Sequence, residues 1–100
     1  MNERVEFLSG ADADLQRIFN RFEDYREGFG AEFMAVIDAY LARISTFPEI
    51  APIYIENIRR QVMSGFPYGI FYEVYPRRIL VVAVFDLRQD DSTIRQRLQP

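Results

Sequence analysis

The pattern of apolar positions is strongest in the last third of the chain. Ile79-Leu80-Val81-Val82-Ala83-Val84-Phe85 is apolar at every position, and so on both faces of an extended strand. Such a strand belongs inside a sheet, covered above and below. Tyr68 to Tyr75 precedes it across a Pro76-Arg77 turn, which predicts an antiparallel hairpin of strands 68–75 and 78–85. Near the start, Arg4 to Leu8 alternates, with Val5 and Phe7 on one face, and predicts a first strand closed by Ser9-Gly10. Asp12 can then cap a helix, because its side chain can accept an orphan N–H of the first turn. Leu15, Ile18, Phe19, Phe22 and Tyr25 recur at helical spacing, against a polar face of Gln16, Arg17, Asn20, Glu23 and Asp24. Gly28 and Gly30 end that helix. A second helix is predicted from about Ala31 to Ser45, with Phe33, Ile37, Tyr40, Leu41 and Ile44 as its stripe. So short a link predicts an antiparallel αα-hairpin.

Pro48 and Pro52 stop the second helix, since each lacks an N–H and restricts its predecessor. Ile58 to Met63 reads as an edge strand. Arg59, Gln61 and Met63 would share one face, and Ile58, Arg60 and Val62 the other. Ser64-Gly65 turns the chain back toward the hairpin. In the tail, Asp90, Asp91 and Ser92 offer caps for a helix of one or two turns over 93–98, which must dock or fray. The order β-α-α-β-β-β, with this short C-terminal helix, predicts one α+β domain over residues 1–100. Its small sheet is four-stranded and mainly antiparallel, covered on one face by the αα-hairpin. The other face should be partly bare, with Phe71, Tyr75 and Val81 lining a groove or docking surface.

Composition sharpens this in three ways. The chain is 49% apolar with nine Phe, enough for a core. It has no Cys and no His, so a zinc site or a disulfide is not expected, and a reducing compartment fits. Its twelve basic residues are all Arg, against fifteen Asp and Glu, for a net charge of −3. Residues 1–50 carry five Arg against ten acids, and residues 51–100 seven Arg against five. The C-terminal half can therefore meet an acidic partner, while the total argues against affinity built mainly on nucleic-acid phosphates. No apolar leader opens the chain, and the run 79–85 is too short to span a bilayer. Together these predict a protein with no membrane partner.

A short strand, a helical hairpin, an Arg-bearing strand, then Phe66-Pro67-Tyr68-x-Ile70-Phe71-Tyr72 and Ile79-x-Val81-x-Ala83-Val84 together resemble the RelE/ParE superfamily. These are the toxins of type II toxin–antitoxin modules, often called plasmid stabilisation proteins. The resemblance spans nearly the whole chain. It implies a small cytoplasmic toxin that causes growth arrest and is wrapped and masked by a cognate antitoxin. The RelE-like branch cleaves mRNA on the ribosome, whereas the ParE-like branch inhibits DNA gyrase without being a hydrolase. The family commonly has an Arg in the strand before the Phe-Pro-Tyr segment, where Arg59 and Arg60 stand here. Its last strand often ends in His-x-x-Arg-x-Pro. In this chain Asp86, Gln89 and Asp91 hold those anchor positions, with Arg88 one residue early.

Those departures bear on the chemistry. Metal-free RNA cleavage needs a base for the 2′-OH, cations for the phosphate and a donor for the leaving oxygen. Arg59, Arg77 and Arg88 could clamp a phosphate, but Arg stays protonated and is a poor base. Tyr68, Tyr72, Tyr75 or Glu73 would have to supply the proton transfer. An RNase would thus rest on Arg59, Arg77, Arg88 and Tyr72. The non-catalytic reading is favoured: gyrase inhibition through a partner surface of Arg59, Arg60, Tyr68, Phe71, Tyr75, Arg77, Arg78 and Arg88. A ribosome-dependent mRNA endonuclease and a degenerate, non-toxic binding module are the alternatives. No cofactor or metal is implied. An exposed sheet edge and aromatic face would suit a homodimer or a heteromeric complex. Bland roles remain open: Tyr68 and Tyr72 as packing residues, Arg77-Arg78 as a solvated turn, Asp86–Arg88 as a local ion pair, and Asp12 and Asp14 as helix-start charges.

Overall fold

A computed structural model describes residues 3–99. In chain order the elements are β1 (Arg4–Phe7), α1 (Ser9–Tyr25), α2 (Phe29–Thr46), β2 (Ile53–Ile55), β3 (Ile58–Val62), β4 (Tyr68–Tyr75), β5 (Arg78–Asp86) and α3 (Asp91–Leu98). The sheet order is β1-β5-β4-β3-β2. The doubly apolar strand β5 is thus interior, parallel to β1 and antiparallel to β4. A parallel pair needs a long crossover, and the αα-hairpin lies in the chain between β1 and the rest of the sheet.

Two expectations about the sheet are corrected. It has five strands, because Ile53–Ile55 pairs with β3. Ile58–Val62 is therefore an inner strand, with β4 on one side and β2 on the other. A three-residue strand behind Pro52 is too short to show alternation. It is closed by a turn in which Glu56 takes φ 52°, a conformation its residue type does not announce.

The helix starts also move. α1 begins at Ser9 with Leu8 in the N-cap position and no side-chain cap, so Ser9 and Gly10 are helical and Asp12 lies within the first turn. There its charge faces the positive end of the helix dipole. α2 begins at Phe29, after Gly28 at φ 89°. Glu23 serves this start from across the turn. Its carboxylate accepts the N–H of Gly28 at 3.1 Å and of Gly30 at 2.6 Å. The Gly28 hydrogen bond leads in holding that carboxyl below its ordinary range. At Gly30 the two helices approach closely: a Cβ there would lie 2.8 Å from the Phe19 ring and from the Phe19 carbonyl oxygen.

The sheet is apolar on both faces, and a bulge in β5 apportions its side chains. Phe71 pairs with Ala83 but Tyr72 pairs with Val81, so Val82 is an extra residue. Before it, Ile79 and Val81 face the hairpin; after it, Val84 does. Ala83 and Phe85 join Ile58, Phe71 and Ile94 on the other face. Val81 therefore belongs to the hairpin side and does not line the opposite groove. Nor is that groove bare, because α3 fills it with Ile94 and Leu98. The tail helix docks.

One buried carboxylate fastens this arrangement. β1 ends at Phe7, opposite Val81, so the edge of β5 beyond Val81 has no strand beside it. Asp14 of α1, 1% exposed, fills the gap: its Oδ2 accepts the Val84 N–H at 3.0 Å. Arg17 Nη2 donates to its Oδ1 at 2.6 Å, and Arg97 of α3 does so at 3.1 Å. One side chain thus joins α1, β5 and α3.

Two substitutions test these contacts. Asp14→Ala leaves the Val84 N–H unpaired and unhooks α3, and should cost about 2–4 kcal/mol in urea unfolding. Asp14→Asn, which keeps an acceptor, should cost less. Gly30→Ala forces the two helices apart and should cost about 1–3 kcal/mol in the same measurement. Its destabilisation should shrink when Phe19 is trimmed to Leu.

Candidate functional site

The cationic residues singled out in the sequence do not converge. β5 runs nine residues, so Arg77 and Arg78 at its start stand about 25–30 Å from Arg88 beyond its end. Arg59, Arg77, Arg88 and Tyr72 therefore do not form one phosphate clamp. Arg59 lies on the hairpin face, paired with Tyr72 in register, and its side chain is only 17% exposed. It donates to the Ala51 carbonyl at 2.7 Å and the Glu49 carbonyl at 3.3 Å. Tyr72 is fully buried and donates to the Pro48 carbonyl at 2.8 Å. Burial pushes its phenol pKa up. Both side chains hold the loop between α2 and β2, so neither offers itself to a ligand.

The other named residues divide between core and far rim. Phe71 is fully buried between Tyr54 and Phe85, so it presents no contact surface. Arg60 lies over the Tyr54 ring at 4.7 Å, with Arg95 over the same ring at 5.0 Å. The Tyr54 hydroxyl bonds Asp91, and burial, aided by that carboxylate, pushes its pKa up. At the start of β5, Arg78 bonds Glu6 at 3.1 Å and covers the Tyr75 ring at 4.8 Å. The negative charge of Glu73 raises the Tyr75 phenol, which donates to it at 3.2 Å. Arg77 is exposed at φ 66° in the turn.

At the opposite end of β5 a cationic surface assembles. Arg17 and Arg21 lie four residues apart on α1 and share a helix face. Arg97 reaches back from α3 and lies 4.4 Å over the Phe85 ring. With Tyr68, Asp86 and Gln89, these three arginines line a cavity of about 50 Å³. Arg88 adjoins it through Asp86. Tyr68 is 2% exposed, and its hydroxyl accepts from Arg21 Nη1 at 3.1 Å. The Arg17, Arg88 and Arg97 side chains are 56%, 70% and 46% exposed, so their guanidinium groups keep donors toward water.

Sequence reading named Arg88 and Tyr68 here but missed Arg17, Arg21 and Arg97. The spacing Asp14, Arg17, Arg21 on one helical face was a usable signal for two of them. Arg97 comes to the site only because α3 docks, which no local pattern declares.

Three guanidinium groups bond two carboxylates, Asp14 and Asp86, and a fourth, Arg21, bonds the Tyr68 hydroxyl, leaving a net positive surface. Asp86 accepts Arg88 Nε at 2.9 Å and Nη2 at 2.6 Å, and the Arg88 N–H at 2.9 Å. The Arg88 side chain holds the Asp86 carboxyl below its ordinary range, with the Arg21 charge adding to this. The same pair raises Arg88. Such an array can grip an oxyanion bidentately. Asp86 is a weak base here, because Arg88 holds its carboxyl below the ordinary range. Among the described residues, no cluster of His, Cys, Asp and Glu is arranged to hold a metal, and no helix is long and apolar enough to cross a membrane. A larger open groove, about 460 Å³, lies along another face of α1 between Leu15, Phe19 and Met34.

No family model matches the sequence, and no curated protein is significantly similar to it. The structure does have counterparts. A chain of the chromosomal ParDE TA system from P. aeruginosa is similar with a TM-score of 0.75 at 12% identity, over 85% of this chain and 96% of that one. A chain of the toxin–antitoxin complex RelBE2 from Mycobacterium tuberculosis is similar with a TM-score of 0.60 at 16% identity, over 86% and 99%. At such identities the likeness is one of fold. The chain shares the fold of these chains of toxin–antitoxin systems.

Proposed function

We propose that this chain is the toxin of a type II toxin–antitoxin module, masked by a cognate antitoxin, and that it inhibits DNA gyrase by binding it. The fold it shares with chains of ParDE and RelBE2 supports the toxin reading. The observation that carries the mode of action is the arginine surface at the end of β5. It offers Arg17, Arg21, Arg88 and Arg97 for gripping an anionic partner, with neither Lys nor His in the chain to shuttle a proton. Binding without turnover suits that chemistry better than RNA cleavage. Action on gyrase would place the protein in the cytoplasm. Arg77 and Arg78, at the far end of β5, are assigned no part in this surface.

Induced expression should arrest growth, and co-expression of the antitoxin gene expected beside it should restore growth. The purified chain should block gyrase supercoiling, and Arg21→Ala with Arg88→Ala should weaken inhibition more than tenfold, while Arg77→Ala leaves it unchanged. Undiminished supercoiling at saturating protein, with ribosome-dependent cuts in message, would establish the endonuclease reading instead. Neither phenotype would identify a non-toxic binding module.

A further inference from the structure

The arginine surface already holds an anion of its own. Arg88 is 70% exposed, yet its Nε and Nη2 donors both close onto Asp86, whose side chain is 18% exposed. The two carboxylates on this surface differ in what they support. Asp14 accepts the Val84 N–H and arginines from two helices, so the fold needs it. The hydrogen bonds of Asp86 run to Arg88, two residues away, by side chain and backbone N–H. Losing that short local loop would leave the sheet and α3 in place. Asp86 is therefore expendable for folding while it occupies a cation that is 70% exposed.

The partner chemistry follows from charge and neighbours. The chain is acidic overall at −3, and Asp90 and Asp91 directly follow the surface in sequence. A phosphodiester backbone, charged at every step, would meet that repulsion along its whole length. A short acidic protein segment brings only a few charges. The arginines present already grip carboxylates at 2.6–3.1 Å. Apolar ground lies beside them: Phe22 packs on Tyr68 at 6.0 Å and on Phe66 at 5.6 Å, and Phe29 leads on to Tyr25, which is 80% exposed. We propose that Asp86 is a resident competitor on this surface, displaced from Arg88 when a carboxylate of an acidic, amphipathic protein segment binds there. This rests on the reading of the arginine surface as a protein-docking site.

The test is fluorescence anisotropy of a labelled peptide of alternating Glu and Leu, titrated with the full chain at low salt. Asp86→Asn keeps the side-chain volume and removes the competing charge. It should bind about tenfold tighter than the unsubstituted chain. Arg88→Ala should abolish that gain, so that the Asp86→Asn, Arg88→Ala double variant binds no better than Arg88→Ala alone. In the unsubstituted chain, the Arg88 Nε–H resonance should move on saturation with peptide, which provides a readout independent of any variant's folding. Equal affinity of Asp86→Asn and the unsubstituted chain, or a stationary Arg88 resonance, would overturn the competitor role and leave the docking surface standing. No binding by any variant would overturn both. Tighter binding of a single-stranded RNA of equal charge would overturn the choice of a protein partner.

Discussion

The structure depends on one unpaired stretch of backbone. β1 stops opposite Val81 while β5 runs on to Asp86, so the far half of this interior strand lacks a neighbour on that side. A buried N–H left there would cost about 1–3 kcal/mol. Asp14 meets the Val84 N–H from the first helix, and its charge then draws Arg17 and Arg97 to the same place. The carboxylate is fully enclosed, but the arginines remain half in water, which spares the fold the cost of enclosing both signs of charge. The docking of α3 follows from this contact and from Ile94 settling into the second core.

The same contact explains where the cationic surface lies. The chain has twelve arginines, and several are consumed by structure. Arg59 ties down a loop, Arg60 and Arg95 stack on Tyr54, and Arg78 bonds Glu6. What remains grouped at one end of the sheet is Arg17, Arg21, Arg88 and Arg97, gathered around Asp14 and Asp86. Fold and candidate site thus share a carboxylate, so stability and binding are not separable at Asp14 as they are at Asp86.

The bulge at Val82 lets one strand serve two cores. Without it, strict alternation would keep Val84 and Val81 on opposite faces. With it, both point toward the hairpin, and Ala83 and Phe85 turn to α3. A mainly apolar sequence is compatible with either arrangement, which is why Val81 was expected on the wrong face.

The sequence by itself determined the long, strongly patterned parts. The two helices, the β4–β5 hairpin and the interior place of β5 follow from periods of 3.6 and 2 and from a run apolar on both faces, all local signals. The fold shared with chains of ParDE and RelBE2 was legible in the same residues. Only the tertiary structure decided the rest. The three-residue strand β2 exists because β3 offers it a ladder, and α3 holds because a core face and Asp14 await it. The candidate site is likewise an assembly. Its arginines come from residues 17, 21, 88 and 97, and no window of sequence contains them together. Their meeting is set by where helices end and which backbone groups lack partners, and those are properties of the packed chain.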